Sequence, residues 1–131
     1  MATEFKIGEH TYSVSRMDAF TQLYVGMKVS PLVLHIAGEN ATLAAFSEAL
    51  AQAPLADVEF VTKEALKVIK RRAGTSWTDI YNASAGKMMF EDIDGADLME
   101  LVYMALKDGI APFFSRLVSL VFGTNPLASD S

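Results

Sequence analysis

The stretch EFKIGEHTYSV, residues 4–14, alternates apolar and polar residues on both sides of Gly8-Glu9. Gly-X is the two-residue loop of a type II′ hairpin. Pairing across that turn sets Ile7 against His10 and Phe5 against Tyr12 on one face, with Lys6 against Thr11 and Glu4 against Ser13 on the other. Burial of the apolar face fixes the register, because a slip of one residue would turn every apolar side chain to solvent. A lone hairpin is marginal in water. The rest of the chain must therefore supply a surface for this one to lie on.

That surface reads as helical. In SRMDAFTQLYVGMKVSPLV, Ser15 or Asp18 offers an N-cap and Phe20, Leu23, Tyr24 and Met27 follow at helical spacing, until Pro31 ends the helix near Ser30. NATLAAFSEALAQAP gives a second helix from Asn40 to Pro54, with Leu43, Phe46 and Leu50 inward. ADVEFVTKEALKVIKRRAG places Val58, Val61, Ala65, Leu66 and Ile69 on one stripe and ends at Gly74, a C′ position. TSWTDIYNASAGKMMF fits either one or two helical turns or a hairpin. Two further helices run from Gly95 to about Asp108 and from Ala111 to about Phe122, before a polar tail at 123–131. The expected fold is mainly α: about five helices with an N-terminal β-hairpin, forming a single-domain helical bundle. A second small β element near 77–90 stays open. The expected organisation is one domain over 1–131, with the hairpin at 4–14, a helical body at 15–122 and a flexible tail.

A chain of 131 residues that is 51% apolar can bury a core without staples. It contains no cysteine, which removes disulfides, thiolate metal sites and a cysteine nucleophile. The first fifteen residues lack a cationic segment followed by a long apolar one, so no signal peptide is expected. The longest apolar stretch, Ile110 to Phe122, is interrupted by Pro112, Ser115, Arg116 and Ser119 and falls short of a span. A soluble protein is expected. A net charge of −5 argues against a nucleic-acid platform.

Four carboxylates, Glu91, Asp92, Asp94 and Asp97, crowd around Gly95. A calcium loop needs oxygen ligands at positions one, three and five, glycine at six and glutamate at twelve. With Gly95 sixth, the first position is Phe90; with Asp92 first, the fifth is Ala96 and the twelfth Tyr103. Both registers fail. With Asp94 as N-cap, Asp97 completes a capping box, and Ile93 and Leu98 form a hydrophobic staple. The acids begin a helix.

His10 and His35 lack the spacing of a zinc site, and no G-x-S-x-G elbow or dinucleotide fingerprint occurs. SAGKMM has the Gly-Lys of a phosphate loop, but Tyr81 stands where its first glycine belongs. No catalytic, cofactor-binding or metal-binding residue is assigned, and an enzyme is not expected. The basic group Lys63, Lys67, Lys70, Arg71 and Arg72 closes a helix opened by Asp57 and Glu59, an order that compensates the helix dipole. The surplus lies in apolar surface. Met99 and Tyr103 widen the stripe of the 95–108 helix, and Phe113, Phe114, Leu117, Val118, Leu120, Val121 and Phe122 leave the last helix apolar over most of its circumference. Such a helix is either buried or covered by another chain. The residues chosen as partner contacts are Met99, Tyr103, Met104, Phe113, Phe114 and Leu117.

EFKIGEHTYSVSRMDAFTQLYVGMKVSPLV, a hairpin followed by a D-A-F-x-Q helix, and GKMMFEDIDGADLMELVYMALKDGIAPFF, with its M-F-x-D-I core and Phe-Phe pair, resemble the small tail assembly chaperones of tailed bacteriophages and prophages. The resemblance runs from about Glu4 to Phe114. In YVGMKVSP it departs from the more basic helix the family implies, and Gly26-Met27 leaves a charge-based contact by this helix open. The resemblance implies a non-enzymatic protein of the host bacterial cytoplasm that holds the tape measure protein soluble until tail tube subunits polymerise around it. The tail tube protein is a further partner, self-association stays open, and no cofactor, nucleic acid or membrane is implied. The alternative is a structural virion component, a tube or completion protein of the tail.

Overall fold

The computed structural model describes residues 3–28 and 42–109, together with 113, 116, 119 and 120. The N-terminal hairpin forms as the alternation requires. Strands β1 (Thr3–Ile7) and β2 (His10–Val14) pair antiparallel with Ile7 opposite His10 and Phe5 opposite Tyr12. Gly8 takes φ of +62°, the left-handed conformation that the Gly-X turn demands. The Phe5 and Tyr12 rings stack across the pair at 5.9 Å.

The hairpin is half of a larger sheet, and here the helical-bundle expectation is corrected. Among the described residues there are four helices and six strands in two antiparallel sheets, a mixed α and β architecture and not a mainly α one with about five helices. After α1 (Ala19–Lys28) and α2 (Leu43–Gln52), helix α3 (Leu55–Leu66) stops well before Gly74. Residues Ile69–Ala73 become β3, which pairs with β2, and Ser76–Asp79 become β4. The strand order is β1-β2-β3-β4. Leu66 and Ile69 satisfy helical spacing, but Ile69 and Arg71 are buried while Lys70 and Arg72 are exposed, an alternation of period two. The free edge of β2 settles the ambiguity, since its backbone groups need partners that only a strand can give. Ser15 N–H continues the ladder to the Val68 carbonyl at 2.8 Å. Gly74, at φ +67°, turns a hairpin and does not cap a helix.

The second small β element is present: β5 (Tyr81–Asn82) pairs with β6 (Lys87–Met88). Ile80 joins the two sheets, its N–H bonding Ile69 O and its carbonyl accepting from Met89 N. Helix α4 (Gly95–Gly109) then packs on α3, α2 and β2. The core is built from Tyr12, Val14 and Ile69 of the sheet, Val61 and Ala65 of α3, and Leu101, Ala105 and Leu106 of α4, with Phe46 of α2 and Val25 of α1 closing it. Burying apolar area of this kind is the dominant favourable term in folding. Of the expected last helix, 111–122, residues 113, 116, 119 and 120 are described, all four helical, and the rest lies outside the described residues, as does the tail.

Helix starts follow local chemistry. Thr42 Oγ1 accepts from Ala45 N at 3.0 Å. At α4, Asp94 Oδ1 accepts from Asp97 N at 2.8 Å and Asp97 Oδ2 accepts from Asp94 N at 3.3 Å, a reciprocal capping box. Ile93 and Leu98 both pack against the core. Asp94→Ala is expected to lower stability by about 1 kcal/mol in denaturant titration, and Asp94→Asn by clearly less, because an amide oxygen still caps.

Candidate partner-binding face

Helix α1 packs into the protein by one side and carries its row of large apolar residues on the opposite one. Asp18 Oδ1 accepts from Thr21 N at 2.7 Å and starts the helix. Gln22, Val25 and Gly26 are buried. The Gln22 amide donates to Met17 O at 3.0 Å and to Gly109 O at 3.4 Å, so a polar side chain is satisfied while it ties α1 to the end of α4. Lys28 Nζ lies 3.5 Å from Asp57 of α3 and holds the other end.

The opposite side carries Phe20, Leu23, Tyr24 and Met27, which are 71%, 43%, 57% and 69% exposed. They sit at i, i+3, i+4 and i+7, one continuous stripe. The Phe20 and Tyr24 rings stand 6.3 Å apart, a tilted aromatic pair on the surface. No charged residue occurs from Ala19 to Met27. Four large apolar side chains in one row on a helix fixed from behind form an exposed patch of the kind that marks a partner site.

The residues chosen from the sequence lie elsewhere. Tyr103 is only 7% exposed, its ring 5.6 Å from that of Phe46. Met99 is half-buried, its sulfur 2.8 Å from Ser47 Oγ. Met104 and Phe113 are half-buried against the core, and Phe113 shares with Gln22 and Asp108 the wall of an open cleft of about 330 Å³. Phe114 and Leu117 fall outside the described residues. Helical spacing in the sequence marks the α1 row as the apolar side of a helix without showing that it faces outward. The signal available was its nine uncharged positions, too apolar for one inward face.

Only part of the basic group closes a helix: Lys63 lies in the last turn of α3 and Lys67 is its C-cap residue, opposite Asp57 in the first turn. Lys67 pairs with Glu64 at 2.8 Å, while Lys70, Arg71 and Arg72 lie on β3. Arg71 points inward, with Nη1 2.9 Å from Asp92 Oδ1, Nη2 2.9 Å from His10 Nε2, and the guanidinium 4.3 Å from the centre of the Phe90 ring. Burial opposes its charge, but the bond and charge of Asp92 outweigh this and raise its pKa. Burial likewise raises the Tyr12 phenol against the pull of Arg71. The hydrogen bond from Arg71 holds the Asp92 carboxyl below its ordinary value, as bonds from Thr21 do for Asp18. A depressed native pKa gives stability above the unfolded value, near 4, that is lost as pH falls through the native one. Thermal melts taken from pH 5 downward should therefore fall less steeply for Asp92→Asn than for the parent. Parallel curves would show that the pair contributes nothing. Among the described residues no group of three or more His, Asp or Glu is arranged to hold a metal ion, and no helix is long and apolar enough to cross a membrane.

A family model described as phage tail assembly chaperone protein, TAC, matches residues 8–122. No curated protein and no solved structure matches the chain.

Proposed function

The chain belongs to the phage tail assembly chaperone family, and from that premise we propose that it binds the tape measure protein of its phage and keeps it soluble during tail tube assembly. The observation that carries this reading is the α1 stripe, Phe20, Leu23, Tyr24 and Met27, exposed on the side of α1 away from the buried core of the described residues. Apolar residues at i, i+3, i+4 and i+7 are how one helix meets another. A tape measure protein, long and helical, would present amphipathic segments that aggregate when left uncovered. The chaperone covers them by binding, without catalysis, in the cytoplasm of the host. Met99, Met104 and Phe113 are secondary contacts, Phe114 and Leu117 belong to the same proposal, and the tail tube protein is a further partner.

Co-expression of the tape measure protein with and without this chain tests the reading. The expected result is a soluble complex that co-purifies only when both are made, with the chain absent from purified tails. A tape measure protein that stays insoluble beside the chain overturns it. Stoichiometric chain in finished tails would instead mark a structural component of the virion.

A further inference from the structure

We propose that the α1 stripe is also a self-association face, on which two copies of this chain pair weakly with their α1 helices antiparallel. The occupant is argued from charge, area and symmetry. Two copies each carrying −5 repel at long range. They meet with least opposition where charge is absent, and residues 19–27 form such a stretch on an exposed helix.

Direction follows from the ends of the helix. Asp18 stands at the N-terminal end and Lys28 at the C-terminal end. A parallel pair would bring aspartate to aspartate and lysine to lysine. An antiparallel pair keeps the two Asp18 carboxylates apart, each facing a C-terminal end where Lys28 is already balanced by Asp57 of its own chain, and opposes the two helix dipoles. Centred between Leu23 and Tyr24, this arrangement sets Phe20 opposite Met27 of the second copy and the reverse, so one patch serves both partners under a two-fold axis.

Area sets the strength. With aromatic side chains contributing about 150–250 Å² each, the exposed parts of the four residues come to roughly 400–500 Å² per copy. A pair therefore covers about 900 Å², below the roughly 1,200 Å² at which stable interfaces begin. The dimer is weak and exchanging, with a dissociation constant on the order of 10–100 µM. Because the same stripe serves the partner, the dimer shields it until the partner displaces the second copy.

Sedimentation of the full chain alone, from roughly 5 to 500 µM to bracket an interface of this size, tests the pairing apart from the tape measure reading. The parent should pass from monomer to dimer. F20K and M27E, both at exposed positions, should each remain monomeric over the whole range. Their equal mixture should pair again, because the introduced ammonium and carboxylate face each other. The parent staying monomeric throughout, or both variants still dimerising, overturns the proposal. A mixture no better than its components overturns the antiparallel arrangement. Since the chain has no cysteine, F20C and M27C give a second measurement that adds no charge. Under mild oxidation they should cross-link to each other faster than either does to itself, and equal rates would overturn the register. Failure of the pairing in these measurements leaves the partner reading standing.

Discussion

Tyr103→Lys is expected to unfold the protein. The ring lies in the core between α4 and α2, 5.6 Å from Phe46, whose side chain is fully buried. Deleting an aromatic ring from such a place costs about 3–5 kcal/mol. Placing an ammonium in its stead takes a charge out of water at a position only 7% exposed. A lysine can relieve this by extending its stem toward water. The Lys107 Nζ already stands 5.8 Å from the Tyr103 ring centre, so the way out brings two like charges together. A domain whose total stability is of order 5–15 kcal/mol does not absorb that loss. Circular dichroism at 25 °C should show most of the helix signal gone, with no cooperative melt. A melting temperature within a few degrees of the parent would place Tyr103 outside the core and restore it as a candidate contact.

The contrast between what the chain announces and what it conceals follows from the range of the interactions that decide each element. The hairpin was legible because its period, its turn and its register are all set within eleven residues, from Glu4 to Val14. The capping box at Asp94 was legible for the same reason, being two bonds across three positions. The end of α3 was not. From Leu66 onward the residues satisfy helix and strand patterns alike, and the choice is made by the edge of β2, more than fifty residues earlier in the chain. Tertiary pairing here overrides local propensity. The basic residues of β3 misled for the same reason: read as a helix end they compensate a dipole, whereas on a strand Arg71 turns inward to Asp92 and His10.

The candidate site was concealed by a subtler ambiguity. Helical spacing identifies an apolar side of α1 without saying which side faces the protein. Gln22 decides it, through a bond to a carbonyl 87 residues away at Gly109, and Gly26 turns to the interior on the same side. The row that periodicity would place in a core is thereby turned outward. Helix α4, whose apolar residues exceed a single stripe, spends much of that excess inside: Leu101, Val102, Tyr103, Ala105 and Leu106 are all buried.

Tyr24→Lys, combined with Leu23→Lys, is expected to abolish solubilisation of the tape measure protein while leaving the fold intact. The substitution is chemically the same as at Tyr103, yet the expected outcome is the reverse, because residues 23 and 24 are 43% and 57% exposed and the side of α1 that holds it in place is Gln22, Val25 and Gly26. Lysine is nearly as good a helix former as leucine and better than tyrosine, so α1 itself loses little. In a complex the two ammonium groups would lie at the centre of the contact, where a few apolar or aromatic anchors carry most of the energy and an unpaired charge is costly. The expected loss is therefore more than a hundredfold in affinity, read as tape measure protein in the pellet on co-expression and no retention in a pull-down. The melting temperature should stay within about 3 °C of the parent, as for surface changes away from special contacts. Full solubilisation by a well-folded double variant would exclude the α1 stripe as the binding face and move the search to Met99, Met104 and Phe113. A double variant that unfolds would mean that the stripe is covered by the chain itself, and the reading of α1 as a helix with a free outer row would be wrong.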